Sequence, residues 1–313
     1  MKINTPFTRL TAAVFTGGLL LLSSCKKDDN TQPATNTITD VVVNNASYSV
    51  LKEAVVKANL ATTLSGTGPF TVFAPDNAAF TSAGITSSTV TSLTPAQLSD
   101  LLLYHTIGSK ILAADVPAGP NAKVVTAGGD SVFVTKNASG VFVNGIAVAQ
   151  ADIAADNGVI HRLSKALNKP SGNIVQTAVA AAGGDTGLDS LVVAVTTAGL
   201  GTTLTNNTLT VFAPTNKAFR DLLTALSLPN IKSIPLSTLT AVLGYHVVAG
   251  RKFSSDLTAG SLAMFSGGNA TISLSSGATI KGNGNGTNAS NITATNIMCR
   301  NGVVHIIDRV LLP

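Results

Sequence analysis

The chain has 313 residues, of which 45% are hydrophobic and 11% charged; this excludes a disordered chain and is enough apolar material for two cores of ordinary domain size. Trp is absent and aromatics make up 4%, so those cores are built from Val, Leu, Ile and Ala around a few Phe, side chains that suit packed sheets. A net charge of +5 does not point to nucleic acid, because the basic residues are scattered and never gather into a cluster with interleaved aromatics.

In chain order, Lys2 and Arg9 flank the start of an apolar run over 10–22, followed by Ser23-Ser24-Cys25: the layout of a secretory signal over 1–24. Leu22-Ser23-Ser24-Cys25 resembles the bacterial lipobox, whose Cys becomes the first mature residue and carries diacylglycerol on its sulfur. That resemblance makes Cys25 the lipidation site and the membrane a partner, since two or more acyl chains hold a bilayer stably. Lys26-Lys27-Asp28-Asp29 is similar to the charged tags of surface-exported lipoproteins of the Bacteroidota. Cys299 is the only other cysteine, so acylation of Cys25 leaves no intramolecular disulfide. Residues 25–36, rich in Asn, Thr and Lys, read as a flexible tether.

Beyond the tether the chain is a duplication. Thr71-Val72-Phe73-Ala74-Pro75-Asp76-Asn77-Ala78-Ala79-Phe80 returns as Thr210-Val211-Phe212-Ala213-Pro214-Thr215-Asn216-Lys217-Ala218-Phe219, 139 residues on (212 − 73). That spacing is one domain, not a short solenoid repeat, and it predicts domains over 37–168 and 173–313. Before each block, Leu51, Ala54, Val55, Ala58 and Leu64, and then Leu191, Ala194, Val195, Ala198 and Leu204, predict one amphipathic helix per copy. The block itself is a strand ended by Pro, with Asp76 or Thr215 as N-cap of a helix that Phe80 or Phe219 anchors inward. Leu98, Leu101 and Leu102 lead to Tyr104-His105, matched by Leu239, Val242 and Leu243 before Tyr245-His246. Strand-like runs follow at 131–135, 141–143 and 270–274, with turn signals at Asn144-Gly145 and 275–277. Each copy closes on Asn157-Gly158-Val159-Ile160-His161 or Asn301-Gly302-Val303-Val304-His305, and 168–172 joins the copies by a stretch that permits a limited range of angles.

These three blocks, present twice in the same order, resemble tandem fasciclin-type domains. The resemblance covers about 37–313 and implies an α+β fold of two domains, each a wedge of two β-sheets with helices packed at one side. It implies an adhesion module without catalytic activity or cofactor, facing a surface protein or glycan. Asp152-Ile153 matches an Asp-Ile pair implicated in receptor binding by animal members, where copy two has Asn296-Ile297. The Tyr-His region has a similar adhesive role there. On that basis Tyr104, Asp152, Ile153, Tyr245 and Ile297 are the candidate contact residues; each also reads as packing, and the two tyrosines read as core or rim anchors ahead of contacts. Copy one has Ser164 where copy two has Asp308.

All four histidines, His105, His161, His246 and His305, lie in repeated blocks. With two per copy and no adjacent Cys they fall short of a metal site and read as buried, hydrogen-bonded structural residues, beside Phe73, Phe80, Phe212 and Phe219. Ser131 with His161 fails as a hydrolase pair, because copy two has no nucleophile at that turn and no Gly-X-Ser-X-Gly elbow exists. Gly282-Asn283-Gly284-Asn285-Gly286 lacks the Lys-Ser/Thr of a phosphate loop. The expectation is therefore a lipid-anchored protein of the cell envelope, held on the outer membrane and facing the outside or the periplasm, that binds without turnover. An aliphatic core between sheets and helices also leaves room for the alternative, a carrier of a small apolar ligand such as a pigment.

Overall fold

The computed structural model describes residues 36–275 and 277–313. The signal, Cys25 and all but the end of the tether lie outside the described residues. In the first copy, helices α1 (Ile38–Asn44), α2 (Ser49–Lys57) and α3 (Ala61–Leu64) precede strand β1 (Phe70–Pro75). Helices α4 (Asn77–Ser82), α5 (Ser87–Ser92) and α6 (Pro95–Tyr104) follow. Then come β2 (Thr106–Ile107), β3 (Gly119–Val125), β4 (Ser131–Asn137), β5 (Gly140–Val143), β6 (Ile146–Ala155) and β7 (Gly158–Leu163). The second copy runs α7 (Ile174–Ala180), α8 (Asp189–Thr197), α9 (Gly201–Asn206), β8 (Leu209–Pro214), α10 (Asn216–Ala225) and α11 (Leu236–Gly244). It ends with β9 (Val247–Ala249), β10 (Gly260–Ala263), β11 (Asn269–Ser273), β12 (Thr279–Lys281), β13 (Ser290–Cys299) and β14 (Gly302–Ile307).

Each copy builds its own seven-stranded sheet with the same topology, β2-β1-β7-β6-β5-β4-β3 in one and β9-β8-β14-β13-β12-β11-β10 in the other. β1 pairs with β7 in parallel, as β8 does with β14; the other pairs are antiparallel. Long β6 pairs with β5 at its start and with β7 at its end, and two register shifts, at Val148/Gln150 and Gln150/Ile153, bend it between the two. Such bulges turn a sheet sharply. The two halves therefore close on each other: Phe73 and Leu163 from one half meet Val132, Val134 and Val143 from the other. This is the wedge.

Alternation along β1 sets both cores. Val72 and Ala74 face the helices, joining Leu51, Val55, Leu98 and Ile160, while Phe73 faces into the wedge. In copy two, Val211 and Ala213 join the helical core and Phe212 the wedge core. Phe80 and Phe219 belong to the helical cores, so the two phenylalanines of each block anchor different halves of one domain. The caps are in place, with Asp76 Oδ1 accepting from Ala79 N at 2.8 Å and Thr215 Oγ1 accepting from Ala218 N at 3.2 Å.

One expected element is corrected. The first amphipathic helix of each copy does not reach Leu64 or Leu204, because Asn59 (φ 57°) and Gly199 (φ 67°) adopt the left-handed conformation that ends a helix. Leu64 and Leu204 sit on the separate short helices α3 and α9 and still reach the same core. The connection between copies is held from both sides: Lys169 Nζ contacts Asp100 at 2.5 Å and Asp130 at 3.0 Å, and Gly172 O accepts from Arg300 N.

Candidate functional site

The repeated polar side chains are spent on the backbone, and on the same backbone groups in both copies except at His305, whose Nδ1 is buried without a partner. His105 sits at the C-cap of α6, 3% exposed. Its Nε2 accepts from Leu167 N at 2.9 Å, so the proton is on Nδ1, which donates to Leu101 O at 2.9 Å. His246 repeats this between Leu311 N and Val242 O. Burial among apolar side chains pulls both imidazoles down from 6.5 to about 4 and keeps them neutral at physiological pH. Each histidine thus ties the end of a helix to the chain leaving the sheet.

The closing blocks work alike. Asn157 Oδ1 accepts from Ile38 N while its amide donates to Leu64 O and Gly66 O; Asn301 does the same with Ile174 N, Leu204 O, Thr205 O and Asn207 O. The glycine after each asparagine is obligatory, since a Cβ on Gly158 would lie 2.1 Å from Phe70 O and one on Gly302 would lie 2.0 Å from Leu209 O. His161 and His305 donate from Nε2 to Ile111 O and Lys252 O at 2.8 Å. Nδ1 of His161 also accepts from Asp152 N, so neither ring nitrogen is available as a base toward Ser131. Asn283 and Asn285 lie in the glycine-rich turn, where Asn285 clamps Val310 O and Leu312 N; that run packs the C-terminal segment. Asp308, absent from copy one, accepts from Ser290, Asn291 N and the Asn291 amide and fixes a turn.

The candidate contact residues do not form one surface. Tyr104 and Tyr245 are each 1% exposed, in the wedge cores, so they offer nothing to a partner. The reason is the helix end: the Tyr turns into the wedge and the next residue, His, turns under the helices. The Tyr104 hydroxyl donates to Ser131 O and accepts from the Asn144 amide, and Tyr245 donates to Asn269 O. Burial pushes the Tyr104 phenol up to about 12. Ile153 and Ile297 are partly buried against the helical cores. Asp152 alone is open. It occupies the β6 bulge at φ 58°, as Asn296 does in β13 at φ 62°, a conformation Asp and Asn tolerate best. One carboxylate oxygen accepts from Ala113 N and the side chain remains 42% exposed.

Comparison with known proteins agrees with this arrangement. The model of the fasciclin domain matches residues 46–169 and again 186–313. The chain belongs to the fasciclin domain family, twice over. Protein sll1483 of Synechocystis is 41% identical over 138 residues, which cover 43% of this chain and 74% of that protein. Transforming growth factor-beta-induced protein ig-h3 of Sus scrofa is 34% identical over 139 residues, 44% of this chain but only 20% of the longer relative. Among solved structures, a domain pair from the insect cell adhesion molecule Fasciclin I aligns over 88% of this chain and 96% of that one, at 18% identity and a TM-score of 0.41.

Since the shared residues of the two fasciclin domains are consumed by the scaffold, the sites that distinguish this protein lie where its copies differ. The first is the seam between them. Arg251 lies over the Phe133 ring, 4.3 Å from its centroid, and Phe133 packs on Phe253, Met298 and Val303. Asp256 accepts from Thr135 Oγ1 at 3.0 Å and from the Asn121 amide at 3.2 Å, and the Asn296 amide donates to Gly145 O. Copy one has Lys110 and Leu112 where copy two has Arg251 and Phe253, so this contact is made once. The second is an apolar groove in copy two between α7, α8 and the sheet, lined by Ile174, Ala178, Leu191, Val195, Leu204 and Val211, of about 70 Å³. Its counterpart in copy one measures about 20 Å³, because Val42 stands where copy two has Ala178. The third is a polar cleft of about 660 Å³ at the seam. None of these was found by reading the blocks; comparing the copies for mismatches instead of matches was the signal that could have found them.

Proposed function

We propose that this is a lipid-anchored adhesion protein of the bacterial cell envelope, of the Bacteroidota type, whose two fasciclin domains contact a surface protein or glycan without turnover. Cys25 carries the lipid, and the outer membrane holds the protein facing the outside or the periplasm. The observation that carries the reading is the double fasciclin match, joined by a seam that presents both domains as one unit. The seam bears on how duplication helps: with the linker pinned, two contacts reinforce each other only when the partner's sites match the fixed spacing. Asp152, half-open on its bulge, stays in the proposed contact surface.

The test uses intact cells of the native host. Mature protein is expected to begin at Cys25, to partition into detergent and to capture cell-surface material from which no hydrolysis product accumulates. Cys25→Ser should release it from membranes. A soluble mature protein with a different first residue would refute the anchor, and turnover of the captured material would refute the non-catalytic reading.

The copy-two groove favours a second reading, carriage of a small apolar ligand. Filling it by Ala178→Leu should raise stability by about 1 kcal/mol if it is empty in the cell. The same substitution should abolish co-purification of any apolar compound, measured by absorbance and mass spectrometry of protein from its native host. Co-purified ligand unaffected by Ala178→Leu would place the ligand elsewhere and refute this groove as its site.

A further inference from the structure

The polar cleft lies between β3 and β4 of the first domain and the β13–β14 turn of the second, so neither domain contains it alone. Three cations line it: Lys123, Arg251 and Arg300. Lys123 and Arg300 are exposed, and among the described residues neither forms an ion pair. Arg251 donates to the carbonyls of Cys299, Arg300 and Gly302 and lies on Phe133; no carboxylate neutralises it either. The one acidic lining residue, Asp130, is already held by Lys169 at 3.0 Å. The cleft therefore carries an excess of positive charge between low-dielectric walls, which concentrates anions.

Its remaining chemistry selects among anions. Asn121 lines the cleft, its amide nitrogen is committed to Arg251 O and Asp256, and its Oδ1 is buried without a partner. A buried carbonyl oxygen wants a donor, which a sulfate ion or a phosphodiester lacks and a sugar hydroxyl supplies. The aromatic face that a nucleic-acid base would stack on is taken, since Phe133 is covered by Arg251. We infer that the interdomain cleft binds an acidic oligosaccharide, with Lys123 and Arg300 meeting its carboxylates and Asn121 Oδ1 accepting from a sugar hydroxyl. The assignment rests on the adhesive reading above and names the ligand class for it.

The test is calorimetric titration of the full mature chain in mild detergent with oligogalacturonate, and with the same oligomer methyl-esterified so that its charge is removed. Saturable binding of the acidic oligomer is expected, weaker by about tenfold for the ester and for Lys123→Glu/Arg300→Glu, with the melting temperature of that variant unchanged. Equal affinity of the variant overturns the assignment, as does the absence of saturable binding. Full competition by inorganic sulfate at equal concentration, or equal affinity for oligothymidylate, overturns it too, since either would make the cleft a general anion site. Adhesion of the intact chain to cell-surface material is measured in parallel: a chain that adheres without binding the oligomer loses the cleft assignment and keeps the adhesive function. One that binds the oligomer and does not adhere loses the function and keeps the cleft.

Discussion

Lowering the pH from 7 to 4 should cost the folded chain about 6 kcal/mol at two histidines alone. Burial holds His105 and His246 at about 4 in the folded state against 6.5 for an ordinary imidazole. Between those values the unfolded chain binds two protons that the folded chain refuses, so stability is complete above about pH 6.5 and falls as the pH approaches 4. That difference is worth about 3 kcal/mol per ring. His305 is displaced in the same direction, again by burial, and adds to the slope. Protonation would also turn Nε2 into a donor against Leu167 N or Leu311 N, breaking the tie between helix end and exit segment. Urea unfolding followed by circular dichroism across pH 4 to 7 reads this directly. His105→Gln should remove about half of the drop, and an unchanged slope in that variant would refute the assignment.

Phe73→Ala and Phe212→Ala should each destabilise their domain by about 3–5 kcal/mol, the cost of deleting a buried ring whose neighbours collapse only partly. Phe212 is fully buried, its ring stacked 5.4 Å from that of His305; Phe73 stands 5.8 Å from His161. Both rings pack in the wedge cores, where strands from two halves of one sheet converge. The effect should appear as a lower denaturation midpoint with an unchanged m-value. A loss under about 1 kcal/mol would mean that the two halves of the sheet close without the ring.

The blocks made the fold legible because their demands are local. The Val-Phe-Ala alternation, the Pro that stops the strand and the Asp or Thr that caps the next helix each follow from one or two residues and a known period. The break at Asn59 was not legible, because the apolar spacing runs on across it and a left-handed Asn looks like any Asn in sequence. Tyr104 and Tyr245 read as core or rim anchors from the sequence, but which core they enter was not legible: adjacent residues at a helix end diverge, and which one turns into the wedge depends on what the rest of the chain builds. The cleft and seam stayed hidden for a different reason. Phe133, Arg251, Phe253 and Arg300 meet only after both domains have folded, and none of them recurs in the other copy, so a search for repeats passes over them.

On the proposed function, the repeated polar residues serve the scaffold and recognition lies where the copies differ. The direct measurement is binding to isolated cell-surface material, normalised to folded protein, for Asn157→Ala, His161→Gln and Lys123→Glu/Arg300→Glu. The two scaffold variants should melt at lower temperature yet bind as the unsubstituted chain does, while the cleft variant should melt normally and bind about tenfold more weakly. Loss of binding by Asn157→Ala or His161→Gln at an unchanged melting temperature would contradict the account.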